Sequence, residues 1–198
     1  MARSRARDFE AKQRAILRAA AAVFAEAGMD KASMAQIATR ADMSKALLYH
    51  YYPGKDALIF DIIRTHLTEL DAAIAAAEDT KLPPRDRLRA LVHAVLEQYR
   101  DADDYHMVQL NGTRALAADQ RQVIVMLERG IVRRFSTVIR AIHPQIDHER
   151  PILTAVTMSL FGMMNWAYMW FRDGGPVTRT DYADIATDIF LGGFERLQ

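Results

Sequence analysis

Cysteine is absent from the 198 residues. Its absence removes a disulfide framework, a thiolate nucleophile, an iron–sulfur site and a thiol redox sensor together, and it fits a reducing cytosol. Glycine (9) and proline (6) are too sparse for a collagen-like or low-complexity chain. No stretch alternates apolar and polar residues with the period of two that a half-buried strand needs. A secretory signal is not visible, because Met1 to Lys12 is arginine-rich and polar with no apolar core behind it. Among catalytic patterns, HExxH, a phosphate-binding P-loop and GxGxxG are missing. No glutamate has a histidine three positions later, as an all-helical carboxylate metal site requires. His143 and His148 lie near Asp147 and Glu149, but on a Pro144 loop that reads as a solvated turn. A helical enzyme is therefore the remote alternative, with no catalytic residue, no metal and no cofactor expected.

What is present is the composition of an ordinary globular protein, 51% hydrophobic and 26% charged. The formal net charge of +1 hides an asymmetry. Residues 1–55 hold ten Lys or Arg against five acids, a net of +5, and the remainder carries −4. A basic end on an acidic body is the footprint of a chain that meets a polyanion with one end only. From Pro151 to Phe171 there are 21 residues without a formal charge. Thr154, Thr157, Ser159, Gly162 and Asn165 interrupt that run, so it reads as a buried helix rather than a membrane span.

Helical periodicity runs throughout, and the expected fold class is all-α, with about nine helices. The first helix is expected from about Asp8 to Ala27, with Ile16, Leu17, Ala20, Val23, Phe24 and Ala27 on one stripe and Gly28 to stop it. Ser33, three residues before Gln36, has the spacing of a capping box that opens a short second helix. Ser44 caps a short third, with Leu47, Leu48 and Tyr51 expected inward, and Pro53-Gly54 ends it. Longer helices are expected over 55–78, 85–100, 103–118 (broken near Asn111-Gly112), 119–142, 151–171 and 181–197. The last would carry Tyr182, Ile185, Ala186, Ile189, Phe190, Gly193, Phe194 and Leu197 on one face.

Two short helices joined by a tight turn, with a third packed across them, make a helix-turn-helix, whose second short helix enters the major groove of DNA. That helix would be Ser44 to Tyr52, with Lys45, Ala46, Tyr49 and His50 facing outward. A cation, a methyl, a phenol and an imidazole are groups that DNA accepts. Ser33 and Lys55 would lie near the two flanking phosphate backbones, and the arginine-rich arm before Asp8 would add phosphate or minor-groove contacts.

Phe24 to Leu58 resembles the DNA-binding domain of the TetR family of transcriptional regulators. The matching positions are Phe24, Gly28, Ser33, Ile37, Ala38, Ser44, Lys45, Leu48, Tyr49, His50, Tyr51, Tyr52, Lys55 and Leu58. Asp42 departs from the family's turn glycine and Tyr52 from its usual phenylalanine. The resemblance covers about the first quarter of the chain. It implies a helix-turn-helix domain over residues 1–55, an effector-binding and dimerisation domain over 56–198, and a cytoplasmic protein acting on double-stranded DNA.

Such a reader works in pairs on half-sites of an inverted-repeat operator, ~34–36 Å apart. The last two helices each have a broad apolar face, and Gly162, Gly192 and Gly193 would permit close approach in a homodimeric four-helix bundle. The Met and aromatic residues crowded into the eighth helix suggest a second use, a pocket closed by the fifth and seventh helices. Its expected lining is Met158, Phe161, Met164, Asn165, Tyr168, Trp170 and Arg172. Asn165 to Gly175, NWAYMWFRDGG, is similar to a stretch in the branch of the family that senses acyl-CoA thioesters. That likeness implies a small apolar effector, a CoA thioester, with Trp170 and Arg172 near its mouth and Arg114 or Arg121 meeting phosphates. A drug-like aromatic or a free apolar acid, controlling an efflux or catabolic gene, is the alternative. The main expectation is a ligand-released repressor with no membrane partner.

Overall fold

The computed structural model describes residues 2–148 and 151–194 in backbone, and side chains from residue 7 onward outside the gap. Among the described residues the chain is all-α: ten α-helices and one 3₁₀ turn. These are α1 (Ala2–Ala27), α2 (Met34–Arg40), α3 (Lys45–Tyr51), α4 (Lys55–Ala77), α5 (Pro84–Gln98), α6 (Asp103–Gly112), the 3₁₀ turn (Thr113–Ala115), α7 (Ala118–Ile142), α8 (Leu153–Asn165), α9 (Ala167–Trp170) and α10 (Arg179–Phe194). They form two compact units, one of Met1–Leu67 with Asp101–Ile124 and one of Thr68–Arg100 with Val125–Gln198. The chain of α4 and of α7 runs through both.

In the first unit, Ile16, Leu17, Ala20, Val23 and Phe24 bury one stripe of α1. Gly28 ends the helix in the left-handed region, φ +80°, which costs glycine little. The Ser33 capping box is present: Gln36 N–H donates to Ser33 Oγ (3.3 Å) and Ser33 N–H donates to Gln36 Oε1 (2.8 Å). Asp42, φ +51°, makes the turn between α2 and α3, so it occupies the left-handed conformation that a turn glycine would supply. On α6, Gly112 lets the helix sit close to α4, where a Cβ would come 2.8 Å from Ile59 Cγ2.

The second unit is built on α5, whose Leu88, Leu91, Val92, Val95 and Leu96 are buried. It packs against α8 and α10. Polar clamps join α10 and its approach loop to α5. Arg89 pairs with Asp184 (2.7 Å) and Asp188 (2.5 Å). The buried Arg179 donates to the Leu96 carbonyl (3.2 Å) and to Asp173 (2.5 Å) while lying over the Phe171 ring.

Four expectations change. The helix that was to start near Asp8 is already helical at Ala2, because alanine and arginine are strong helix formers; the arm is backbone of α1, and the side chains of Arg3 and Arg5 lie outside the described residues. The uncharged run of residues 151–171 is not one helix. At Trp166 (ψ −11°) the ladder tightens, Met169 N–H bonds to the Trp166 carbonyl (3.1 Å), and α8 gives way to α9. Among the described residues no helix is long and apolar enough to cross a membrane. On α10, Ala183, Ala186, Thr187, Phe190, Leu191 and Phe194 face inward, whereas Ile185, Ile189 and Gly193 are exposed and Leu197 lies outside the described residues. Finally, α3 turns only Leu48 fully inward: Tyr51 is half-buried and Leu47 is exposed.

Candidate nucleic-acid interface

A seven-residue helix gains little from propensity, so caps and packing must hold α3. Ser44 Oγ accepts the Leu47 N–H (3.1 Å) at its start. Leu48, fully buried, is its central anchor, and the buried Tyr52 closes the other end. The Tyr52 hydroxyl donates to Asp61 Oδ2 on α4 (2.7 Å), and Gln13 of α1 donates to both the Tyr52 oxygen (3.0 Å) and Asp61 Oδ2 (3.0 Å). Arg64 grips the other carboxylate oxygen (2.5 Å). Three helices therefore meet on one carboxylate. Burial, followed by the bond to Asp61, pushes the Tyr52 phenol above its ordinary pKa, so this hydroxyl stays a donor.

With α3 fixed by Leu48 and Tyr52, the residues expected to read DNA are brought to one outward surface: Lys45, Ala46, Tyr49 and His50 are all exposed. The Lys45 ammonium lies 5.9 Å from the Tyr49 ring centroid. On the other flank Tyr51 stacks on Phe9 of α1 at 5.0 Å between centroids. Ser33 and Ser44 are exposed, each with its oxygen already engaged in a cap. Lys55, at the start of α4, donates to the Met29 (2.8 Å) and Asp30 (3.1 Å) carbonyls that follow α1. Of the neighbouring cations, Arg7, Lys12 and Arg18 are exposed, Arg14 is exposed beside Glu10 (3.9 Å), and Arg40 is engaged by Glu26.

Sequence reasoning missed the Gln13–Tyr52–Asp61–Arg64 cluster, although one signal was legible: Asp61 is the acid in the apolar stretch Leu58 to Ile63.

In the second unit the seven expected ligand residues are distributed over several surfaces. Phe161 meets Phe135 of α7 edge to face (4.9 Å), and Met164 is buried. Asn165 accepts from the Tyr99 hydroxyl (2.8 Å) at the end of α5. Tyr168 is half-buried, Trp170 is half-exposed with its edge toward Tyr182 (5.0 Å), and Met158 and Arg172 are exposed. Phe161 and Asn165 thus meet the helices expected as walls, while Met158 faces away from the core. In the first unit Arg114 and Arg121 are exposed, and Arg121 donates to the Leu116 carbonyl (2.9 Å).

Two stretches of the chain match family models of known proteins. The family model for bacterial regulatory proteins of the tetR family matches residues 16–62, and that for the tetracyclin repressor-like C-terminal domain matches residues 81–194. A TetR-family transcriptional regulator from Bordetella parapertussis superimposes with a TM-score of 0.86 at 30% identity, covering 94% of this chain and 97% of that one. The repressor KstR2 of Mycobacterium tuberculosis is 25% identical over 183 residues, 91% of this chain and 92% of its own. AibR, solved in complex with isovaleryl coenzyme A and operator DNA, gives a TM-score of 0.76 at 26% identity over 90% of this chain and 97% of its own. A reader and a body that both match over most of their length leave one assignment: the chain belongs to the TetR family of transcriptional regulators.

Proposed function

We propose that this ligand-responsive regulator is a homodimeric repressor. It holds an inverted-repeat operator and releases it when a small apolar effector, an acyl-CoA thioester, binds residues 56–198. The observation that carries the DNA half is the outward set on α3, where Lys45, Ala46, Tyr49 and His50 stand clear while Leu48 and Tyr52 hold the helix from behind. Tyr49 and His50 meet base edges, Lys45 and the Ser33 and Ser44 hydroxyls meet phosphate, and Ala46 allows close approach. An ammonium has three donors, and two of those on Lys55 serve carbonyls, so its third serves phosphate. Residues 1–55 are the reader, and the site of action is the cytoplasm.

The acyl-CoA half is supported by the NWAYMWFRDGG stretch and by the likeness to AibR, which carries isovaleryl coenzyme A. Met158, Phe161, Met164, Asn165, Tyr168, Trp170 and Arg172 are the residues assigned to it. The effector favours release only by the ratio of its affinities for the two states, so it binds the DNA-incompetent state more tightly. The chain of α4, running from Lys55 at the reader to Ala77 in the body, carries the change.

The test is selection of duplexes from a random library, followed by mobility shift at several salt concentrations with and without isovaleryl-CoA. An inverted repeat, a negative salt slope and release by the thioester but not by free CoA are expected. Binding without sequence preference or salt slope overturns the reader. Release by a free acid or a drug-like aromatic but not by the thioester overturns the effector class.

A further inference from the structure

Beside the four side chains proposed to meet DNA, the recognition helix carries one more that neither caps, ion pairs nor core packing explains. Leu47 is 39% exposed on α3, among Lys45, Ala46, Tyr49 and His50. The helix geometry explains why it is outside. At about 100° per residue, Leu48 faces the core, Ala46 and His50 point nearly opposite it, and Leu47 and Tyr49 take the two flanks. The flanks differ in chemistry. On one, Lys45 sits beside the Tyr49 ring. On the other, Leu47 is followed one turn later by Tyr51, which is stacked on Phe9. An exposed leucine on the outward side of a basic helix offers no hydrogen bond and no charge. In the major groove of unmodified DNA the one apolar group on a base edge is the C5 methyl of thymine.

We infer that Leu47 is a specificity-determining residue that reads a thymine methyl in each operator half-site, on the flank of α3 away from Lys45 and Tyr49. This rests on the reading that α3 enters the major groove. The occupant is duplex DNA because the same helix presents Lys45 and residues 1–55 carry a net +5, which suits a polyanion and not an apolar protein partner.

The experiment changes the DNA rather than the fold. Using the full-length protein and the duplex enriched in selection, each thymine is replaced in turn by deoxyuridine, which keeps every hydrogen-bonding group and loses only the methyl. Symmetric replacement at one position is expected to weaken binding roughly fifteenfold, about fourfold for each buried methyl in two half-sites. In Leu47→Ala the same replacement is expected to change binding less than about twofold, whereas in Leu82→Ala, an equally exposed leucine outside residues 1–55, it keeps its full effect. A methyl effect that survives in Leu47→Ala, or no thymine whose methyl matters, overturns the inference while leaving groove binding intact. Failure to enrich any duplex overturns the groove reading and the inference with it. Because the changed leucine is partly exposed, circular dichroism melting of Leu47→Ala is expected to match the unaltered protein, and a collapsed melt is replaced by Leu47→Met, which keeps the methyl effect if the contact is apolar.

Discussion

One hydroxyl distinguishes Tyr52 from the phenylalanine usual at its place in the family, and the fold uses it. Tyr52→Phe leaves the buried Asp61 carboxylate with Gln13 and Arg64 but without its shortest neutral donor. A stability loss of about 1–2 kcal/mol is expected in urea denaturation, even though the substitution restores the family's common residue. His66, 2% exposed, behaves as a buried base: desolvation, with His106 at 5.9 Å as the lesser cause, lowers its pKa to about 4 from an ordinary 6.5. Between those values the unfolded chain binds the proton more readily than the folded one. Stability is therefore full above about pH 6.5 and falls as the pH drops toward 4, by up to about 3 kcal/mol. His66→Phe should show a shallower fall across that window in thermal melts, and an unchanged slope would place the acid sensitivity elsewhere. Lys55→Ala is expected to flatten the salt slope of DNA binding by about one unit for every duplex alike. The same change should lower the melting temperature, since the Met29 and Asp30 carbonyls lose their donor.

At the scale of the element, the turn between α2 and α3 depends on a left-handed residue. Asp42→Ala is expected to destabilise by about 1 kcal/mol and Asp42→Gly by much less, because only the alanine suffers from a φ of +51°. Gly112→Ala pushes a methyl to 2.8 Å from Ile59 and should cost about 1–3 kcal/mol in the same melts. The long amphipathic helices are legible in the sequence, since α1 and α5 repeat apolar residues over several turns and only one face of each can be the core. The positive φ at Asp42 was legible too, as a departure from a glycine. Leu47 was not. In two turns of helix an apolar residue beside Leu48 reads as core, and only the placement of Tyr52 shows that the inward side is already filled. The Tyr52–Asp61–Gln13–Arg64 cluster draws on distant parts of the chain at once, and the local pattern marks only its acid, Asp61 within the apolar stretch Leu58 to Ile63. The break at Trp166 falls within an uncharged run that reads equally well as one helix or two.

At the scale of the whole molecule, one short helix offers a half-site few contacts, which is the reason we propose that two readers act together. Pairing two readers makes the second contact intramolecular, which raises affinity by ~10²-fold or more without adding any contact to either half-site. The surface we propose for that pairing is on α8 and α10. Ile185 and Ile189 are exposed on α10, and Ile189 stands 62% open. A Cβ added at Gly162, Gly192 or Gly193 would meet nothing within 4 Å in the single chain. Glycines that relieve no crowding inside the subunit make sense if a second copy lies against them, as in a two-fold bundle of α8 and α10 with their mates. Ile189→Glu is thus expected to leave the fold of each chain intact and to abolish the dimer, because an exposed position takes the charge without cost in the monomer, whereas the dimer would bury one carboxylate of each copy, two like charges, at the seam. Sedimentation at micromolar concentration should show a monomer, circular dichroism an unchanged helical content, and mobility shift a loss of at least ~10²-fold on the full inverted repeat with little change on an isolated half-site. A monomeric parent protein, or an Ile189→Glu variant that sediments as the parent dimer does, would move the pairing surface away from these two helices.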